Sequence, residues 1–521
     1  MAETEYDWSK IGNGKFPRVV IAGAGISGLC LAIRLKKAGF HSFVILEKSD
    51  EVGGTWFDNR YPGCGCDVPS VLYSFSFALK PDWSRKYPPQ SEILDYLRAC
   101  ADRYGIREHI RLGVEVTRAT YHEDEANWRV ETAKEAGDDG ETYVADIFVS
   151  AVGQLSRPSL PEIPGRESFA GPAFHTARWD PSFDARDKRL AVVGNGASAI
   201  QAIPRLAEVA REVVIYQRTA NWVAQRYDYR YPGWLQAAFR WLPGFARLWR
   251  WGTYWSHEWR IHLYTRRSWL NKGFSVKLMK QMKAKLPEAL HAKVMPQYPA
   301  GCKRVLLSND YLESLSRENV EVVTESIEQI VPEGVVTKSG RRDVDAIVFA
   351  TGFESNRFLY PMEIRGRDGD DLRELWSVRP TTYLGMLAAG FPNFFMLYGP
   401  NTNLGHNSII FMIECQVNYL VRCLKQMRAT DSRTIEVRPE AVEAFDRELQ
   451  AHLKPKVWNG YVKNWYTTDR GHIVNNWCRS TFAYWRQTRR PVLEDLRFAS
   501  KSTDRPERAE EISDEPAAAA R

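Results

Sequence analysis

Gly23, Gly25 and Gly28 stand in the spacing G-x-G-x-x-G, and Gly194, Gly196 and Ala199 repeat it later in the chain with alanine in the third place. A turn of this kind holds a pyrophosphate. The first glycine takes the tight turn, the second lets phosphate approach the backbone, and the third lets a helix pack on its strand with its N-terminal N–H groups towards the anion. Ser27 in the first unit, and Asn195, Ala197, Ser198 and Gln201 in the second, are the neighbours expected near the phosphates. Glu47 follows the apolar run Phe43 to Leu46 and is placed to bind ribose hydroxyls. The corresponding strand end of the second unit reads Gln217-Arg218-Thr219, with no acid. A carboxylate there would repel a ribose 2′-phosphate, whereas Arg218 attracts one. The first site therefore suits FAD, and the second suits NADPH better than NADH.

These turns need strands and helices to position them. Arg18 to Gly23 reads as a short buried strand, followed by a helical pattern to about Lys37, and LAVVG from Leu190 opens the second unit in the same way. Asp146 to Gly153 and Asp345 to Gly352 share the form D-x4-A-x-G, each closing a nucleotide domain with an apolar strand. The expected fold class is α/β, with two Rossmann-like dinucleotide-binding domains, for FAD and NADP, and a helical insertion. The expected segments are 1–152 (FAD, first part), 153–223 (NADP, first part), 224–300 (insertion), 301–380 (NADP, second part), 381–500 (FAD, second part) and a disordered tail, 501–521.

Composition narrows the function classes. The 521 residues are 44% hydrophobic and 26% charged, an ordinary globular balance. The apolar stretch from Val19 to Ile33 is broken by glycines and too short to span a bilayer, and the N-terminus lacks an apolar signal region, so a cytoplasmic protein is expected. The eight cysteines form no disulfide or zinc pattern and are read as free thiols, with no metal site. Net charge is +7, but Asn221 to Arg304 holds 16 lysines and arginines against three acids, together with eight of the 18 tryptophans. Trp251, Trp255 and Trp259 recur at helical spacing. Such a segment fits a peripheral membrane surface or single-stranded nucleic acid. The reading preferred here is an insertion that packs its tryptophans on the rest of the protein, with no nucleic-acid partner.

Two nucleotides restrict the chemistry to a flavoprotein that accepts hydride from NADPH. Without a C-x-x-C pair a dithiol route is disfavoured. Quinones and oxygen remain open as electron acceptors.

Two further stretches carry a family resemblance. Phe169, Gly171, His175, Trp179 and Asp180 fit F-x-G-x-x-x-H-x-x-x-W-[PD] in full. Gly53-Gly54-Thr55-Trp56, Tyr61-Pro62 and Asp67 fit [AG]-G-x-W-x4-[FY]-P-x4-D. The chain thereby resembles type I Baeyer–Villiger monooxygenases over roughly residues 15 to 490. The resemblance implies an NADPH- and O2-dependent enzyme that inserts an oxygen atom beside a ketone carbonyl, giving an ester or lactone through a C4a-peroxyflavin and a tetrahedral adduct, with sulfides as further substrates. The alternatives are a flavin monooxygenase acting on nitrogen or sulfur, and an NADPH oxidase. It implies Arg304 as the catalytic cation and Asp67 as its partner on a loop over the flavin. It places Lys303 with Arg218 and Thr219 near the 2′-phosphate, and Gly54, Thr55, Trp56, Tyr73, Val116 and Gln154 on the FAD side. His175 is read as coupling NADP binding to domain position. Gly65 stands where many relatives carry a bulkier residue, which widens the expected pocket.

Overall fold

A computed structural model describes residues 5–11, 14–134, 139–459, 466–468 and 470–500; the tail expected at 501–521 lies outside them. Two five-stranded parallel sheets form its frame. In the first, Val19–Ala22 lies between Phe43–Leu46 and Ile147–Ser150, with Ile110–Arg111 and Phe394–Met396 at the edges. In the second, Arg189–Val193 lies between Glu212–Tyr216 and Ala346–Phe349, with Val320–Val323 and Ala173–His175 at the edges. The inner strands are mainly apolar, with Arg189 and Glu212 only at their starts and Ser150 at an end, because both faces are covered. On one face, Val19 and Ile21 pack with the helices Ile26–Lys37 and Ile409–Ala429, and Leu190 and Val192 pack with the helix Ala197–Ala207. On the other, Val20 and Ala22 meet the antiparallel strands Asn127–Lys134 and Asp139–Ala145, and Ala191 and Val193 meet Ile327–Val331 and Gly334–Thr337.

The repeated D-x4-A-x-G has a physical basis. Asp146 Oδ2 accepts the Arg18 N–H at 2.7 Å while its carboxylate pairs with the Arg18 guanidinium. Asp345 does the same for Arg189, again at 2.7 Å from the backbone N–H. Each aspartate staples the start of a closing strand to the start of the strand bearing the glycine turn.

One expected boundary shifts. Strand Glu363–Arg365 pairs in parallel with Val114–His122, and Met362, Ile364 and Leu372 pack in the core beneath the first sheet. The chain thus returns to the unit of the first sheet before residue 381, because the alternating apolar positions at 362 and 364 fill that core.

The insertion comprises helices Gly233–Trp241, Phe245–Glu258, Trp269–Lys283 and Glu288–Val294. Its two ends are zipped by Val223–Ala224 running parallel to Leu306–Leu307, a neck that fixes Lys303 and Arg304 just outside the second sheet. The expectation that its tryptophans pack inward is overturned. Trp222 is buried and Trp249 half-buried, whereas Trp234, Trp241, Trp251, Trp255, Trp259 and Trp269 are exposed. The helices are amphipathic and bury Leu235, Phe239, Ile261, Leu278 and Met282 instead, which turns the other aromatics outward.

Candidate functional site

The two glycine turns are built alike. Gly23 has φ +105° and Gly194 φ +111°, left-handed values that disfavour any side chain. Gly25 and Gly196 cap their helices with nearly the same backbone, φ −76° and −74° with ψ −165° in both. A Cβ on Gly196 would meet nothing within 4 Å, and one on Gly25 only the Gly54 backbone at 3.7 Å or more. Both turns therefore leave room for a ligand to touch the main chain.

They open into one cleft of about 2030 Å³. Gly23, Gly25, Ser27, Glu47, Gly54, Thr55, Trp56, Asp67, Tyr73, Val116 and Gln154 line it from the side of the first turn. Gly194, Asn195, Gly196, Ala197, Ser198, Gln201, Arg218, Thr219, Lys303 and Arg304 line it from the side of the second turn. Gly28 is absent from the wall; a Cβ there would drive into the Gly23 carbonyl oxygen, so its work is strand–helix packing.

Each wall has its own polar frame. Glu47 is buried, accepts the Ala24 N–H at 2.7 Å and the Ser49 N–H at 3.0 Å, and has its carboxyl pushed up by burial. Trp56 Nε1 donates to Tyr73 Oη at 3.1 Å. Gln154 Nε2 donates to the Tyr398 and Gly399 carbonyls, while its buried Oε1 has no partner within the protein. An orphaned acceptor in the wall fits a ligand that brings a donor, as a flavin ring does. Asn195 donates to Gln217 Oε1 at 2.7 Å and to the Thr219 carbonyl at 3.0 Å, fastening the second turn to the strand end that presents Arg218. Burial, and then the nearby Arg218 charge, hold the Lys303 ammonium below its usual range. Those two cations therefore face a shared region suited to a phosphate dianion.

Between the walls, Arg304 Nε and Nη2 donate to a single oxygen of Asp67 at 3.0 and 2.7 Å, leaving Nη1 out of the pair. Both side chains are about three-quarters buried, at 28% and 25% exposure. Asp67 is the main reason the guanidinium is held above even its ordinary range; burial opposes this, and Tyr466 and Tyr264 lie close enough to add to it. A permanent cation therefore sits where solvent is scarce.

Gln201 ties the Asp67 loop to the second unit. Its Oε1 accepts from Tyr61 Oη at 2.8 Å and from the Gly65 N–H, and its Nε2 donates to the Gly65 carbonyl at 2.9 Å. Arg226, from the insertion neck, donates to the Cys66 carbonyl at 2.7 Å. The Gly65–Cys66 step is thus clamped from two sides.

The family model for pyridine nucleotide-disulphide oxidoreductases matches residues 20–240. A Baeyer–Villiger monooxygenase of Streptomyces coelicolor is 40% identical over 484 residues, covering 92% of each chain. The chain belongs to the Baeyer–Villiger monooxygenase family. Among solved structures, OTEMO in complex with FAD and NADP aligns with a TM-score of 0.84 at 27% identity, over 93% of this chain and 99% of that one. Steroid monooxygenase bound to NADP aligns with a TM-score of 0.82 at 30% identity, with the same coverage.

In this monooxygenase the long fingerprint does not line the cleft. Gly171 lets the backbone pass Asp345, whose carbonyl a Cβ would approach to 2.7 Å. Phe169 packs against the core behind the second sheet, and Trp179 packs edge-on to Phe174 and Phe183. Asp180 accepts from Ser182 at an exposed turn. His175 is buried, and its Nδ1 accepts the Ala177 N–H at 3.1 Å. Its ring meets Phe353, which does line the cleft, at 5.5 Å. The motif supports the wall from behind.

Burial pushes the His175 imidazole from its ordinary 6.5 down to about 4; the Gly352 backbone opposes this and Arg178 adds to it. The folded protein thus keeps this ring neutral where the unfolded chain already binds a proton. The stability it contributes is fully present above pH 6.5 and is lost as pH falls towards 4, on the order of 3 kcal/mol for a shift of this size. His175→Asn keeps an acceptor for Ala177 without the titration. Its melting temperature should fall less steeply than that of the parent between pH 6.5 and 4, and parallel curves would contradict this account.

The sequence reading did not single out Arg226 and Tyr264. Tyr264 is half-buried and donates to the Gly405 carbonyl at 2.7 Å, close beside Arg304. The only available signal was composition, since both lie in the basic aromatic segment and no spacing sets them apart.

Proposed function

We propose that this cleft binds FAD at the Gly23 turn and NADPH at the Gly194 turn, and that with O2 it converts a small-molecule ketone into an ester or lactone. The observation that carries this reading is the Arg304–Asp67 pair between two nucleotide-binding turns. The bound cofactors supply the hydride and the reduced flavin that activates oxygen; the chain supplies placement and charge. Glu47 would accept from ribose hydroxyls of FAD, and the N-termini of helices Ile26–Lys37 and Ala197–Ala207 would meet the two pyrophosphates. Arg218, Thr219 and Lys303 would hold the 2′-phosphate. Arg304 cannot give up its proton, so it faces an anionic oxygen as a fixed donor without quenching it. Asp67 fixes the plane of that donor. Tyr264 and Tyr466, close to the guanidinium, reduce the water that would weaken its field.

The direct test is NADPH consumption that depends on added ketone, with ester identified as product and O2 consumed in equal amount. Ketone-independent NADPH oxidation yielding only peroxide would defeat the proposal. Arg218→Ala should raise KM for NADPH about ten- to hundredfold, the size of one or two charge-assisted hydrogen bonds, and leave KM for NADH nearly unchanged. Equal effects on the two nucleotides would remove the 2′-phosphate role.

A further inference from the structure

The outward aromatic face of the insertion takes no part in this chemistry. On helix Phe245–Glu258, Leu248, Trp251 and Trp255 share one side and are exposed to 63, 62 and 42%. Helix Thr481–Thr488, from the other end of the chain, adds the exposed Phe482 and Trp485. The rings run on from one to the next, with centroids 6.2 Å apart for Trp251–Trp255, 6.1 Å for Trp255–Phe482 and 5.3 Å for Phe482–Trp485. Tyr254 and Thr481 hydroxyls meet at 2.8 Å, so the two helices present one surface.

Its charges all have one sign. Arg247, Arg486, Arg489 and Arg490 are exposed, and the Arg489 guanidinium lies 5.4 Å from the centre of the Trp485 ring. Residues 245–257 and 481–490 contain no acid. The acid that follows, Glu258, is buried and faces inward, accepting from Thr481 Oγ1 at 2.7 Å and the Phe482 N–H at 3.0 Å.

We propose that this face docks peripherally on an anionic phospholipid surface. Tryptophan rings are favoured at the headgroup level of a bilayer, and arginines beside them draw anionic headgroups. Pairing with a second copy through the same face would set arginines against arginines. A single-stranded nucleic acid needs free ring faces for its bases, whereas Trp251 packs edge-on to Trp255 and Phe482 stacks on Trp485. No helix among the described residues is long and apolar enough to cross a membrane. The face is also joined to the cleft. Glu258 accepts from Asn407 Nδ2 at 2.7 Å, and Asn407 lines the cleft wall. In a docked enzyme the aromatic face would thus connect to the cleft through Phe482, the buried Glu258 and Asn407.

The test is flotation of the FAD-loaded protein with vesicles of phosphatidylcholine alone and of phosphatidylcholine with phosphatidylglycerol at about three to one. Binding to the anionic vesicles only, weakened by salt and accompanied by a blue shift of tryptophan emission, is expected. The double variant Trp251→Ser, Trp255→Ser should lower partitioning about tenfold or more, because interfacial binding scales with the apolar area inserted. Its melting temperature should fall by only a few degrees, since Trp251 is largely exposed and Trp255 packs on Tyr254 and Phe482 at the surface. Absence of vesicle binding, or equal binding by the variant, overturns the proposal. So does self-association or oligonucleotide binding that the same variant abolishes while vesicles are ignored. The readout is partitioning, so it fails or succeeds independently of the ketone reaction.

Discussion

Replacing Arg304 by alanine should lower ester formation by about 10²- to 10³-fold, the usual cost of losing a fixed donor to an anionic oxygen, while NADPH still reduces the flavin. The two half-reactions separate because Arg304 lies between the nucleotide walls and not in either glycine turn. The variant also frees Asp67, so flavin content and melting temperature must be measured alongside. Arg304→Lys keeps a cation but loses the planar fork that gives Nε and Nη2 to one carboxylate oxygen, and activity should fall between parent and alanine. Ester formation within a few-fold of the parent in the alanine variant would sink the assignment.

Gly28→Ala should cost the protein its flavin. The added Cβ would collide with the Gly23 carbonyl oxygen, and Gly23 has little room to yield, since it is held at φ +105° on a side where even a Cβ of its own would come within 2.8 Å of the Ala151 carbonyl oxygen. Opening that contact moves the N-terminus of helix Ile26–Lys37 off its strand, a strain of about 1–3 kcal/mol or more. At least a tenfold fall in FAD occupancy after gel filtration is expected, with a lower melting temperature. Gly196→Ala is the counterpart. Its backbone suits alanine and its Cβ meets open space, so that variant should fold and stay yellow while NADPH binds more weakly. If the two variants behaved alike, the division between packing glycine and ligand-facing glycine would be wrong.

How much of this was legible beforehand depends on the range of the interaction. The two turns, their strands and the absence of an acid beside Arg218 are local, and short-range sterics with one charge decide them. The stapling by Asp146 and Asp345 was visible as a repeated string, but its cause was not, because the partners Arg18 and Arg189 stand far away along the chain. Resemblance pointed to Asp67 and Arg304. Nothing local relates residues so widely separated; the zipped neck at Val223–Ala224 and Leu306–Leu307 and the clamp by Gln201 and Arg226 bring them within 2.7 Å. The long fingerprint was equally plain as a motif, yet its place behind the wall could be read only from what Gly171, His175 and Trp179 touch.

By itself the sequence determined two glycine turns, the unlike charges at the strand ends beside them and the basic aromatic character of the insertion, because backbone sterics, helix periodicity and charge act over a few residues. Only the tertiary structure decided which tryptophans face water, where the chain re-enters the first unit and how one guanidinium meets one carboxylate. Those outcomes depend on which surfaces are buried against each other, and burial is a property of the assembled chain.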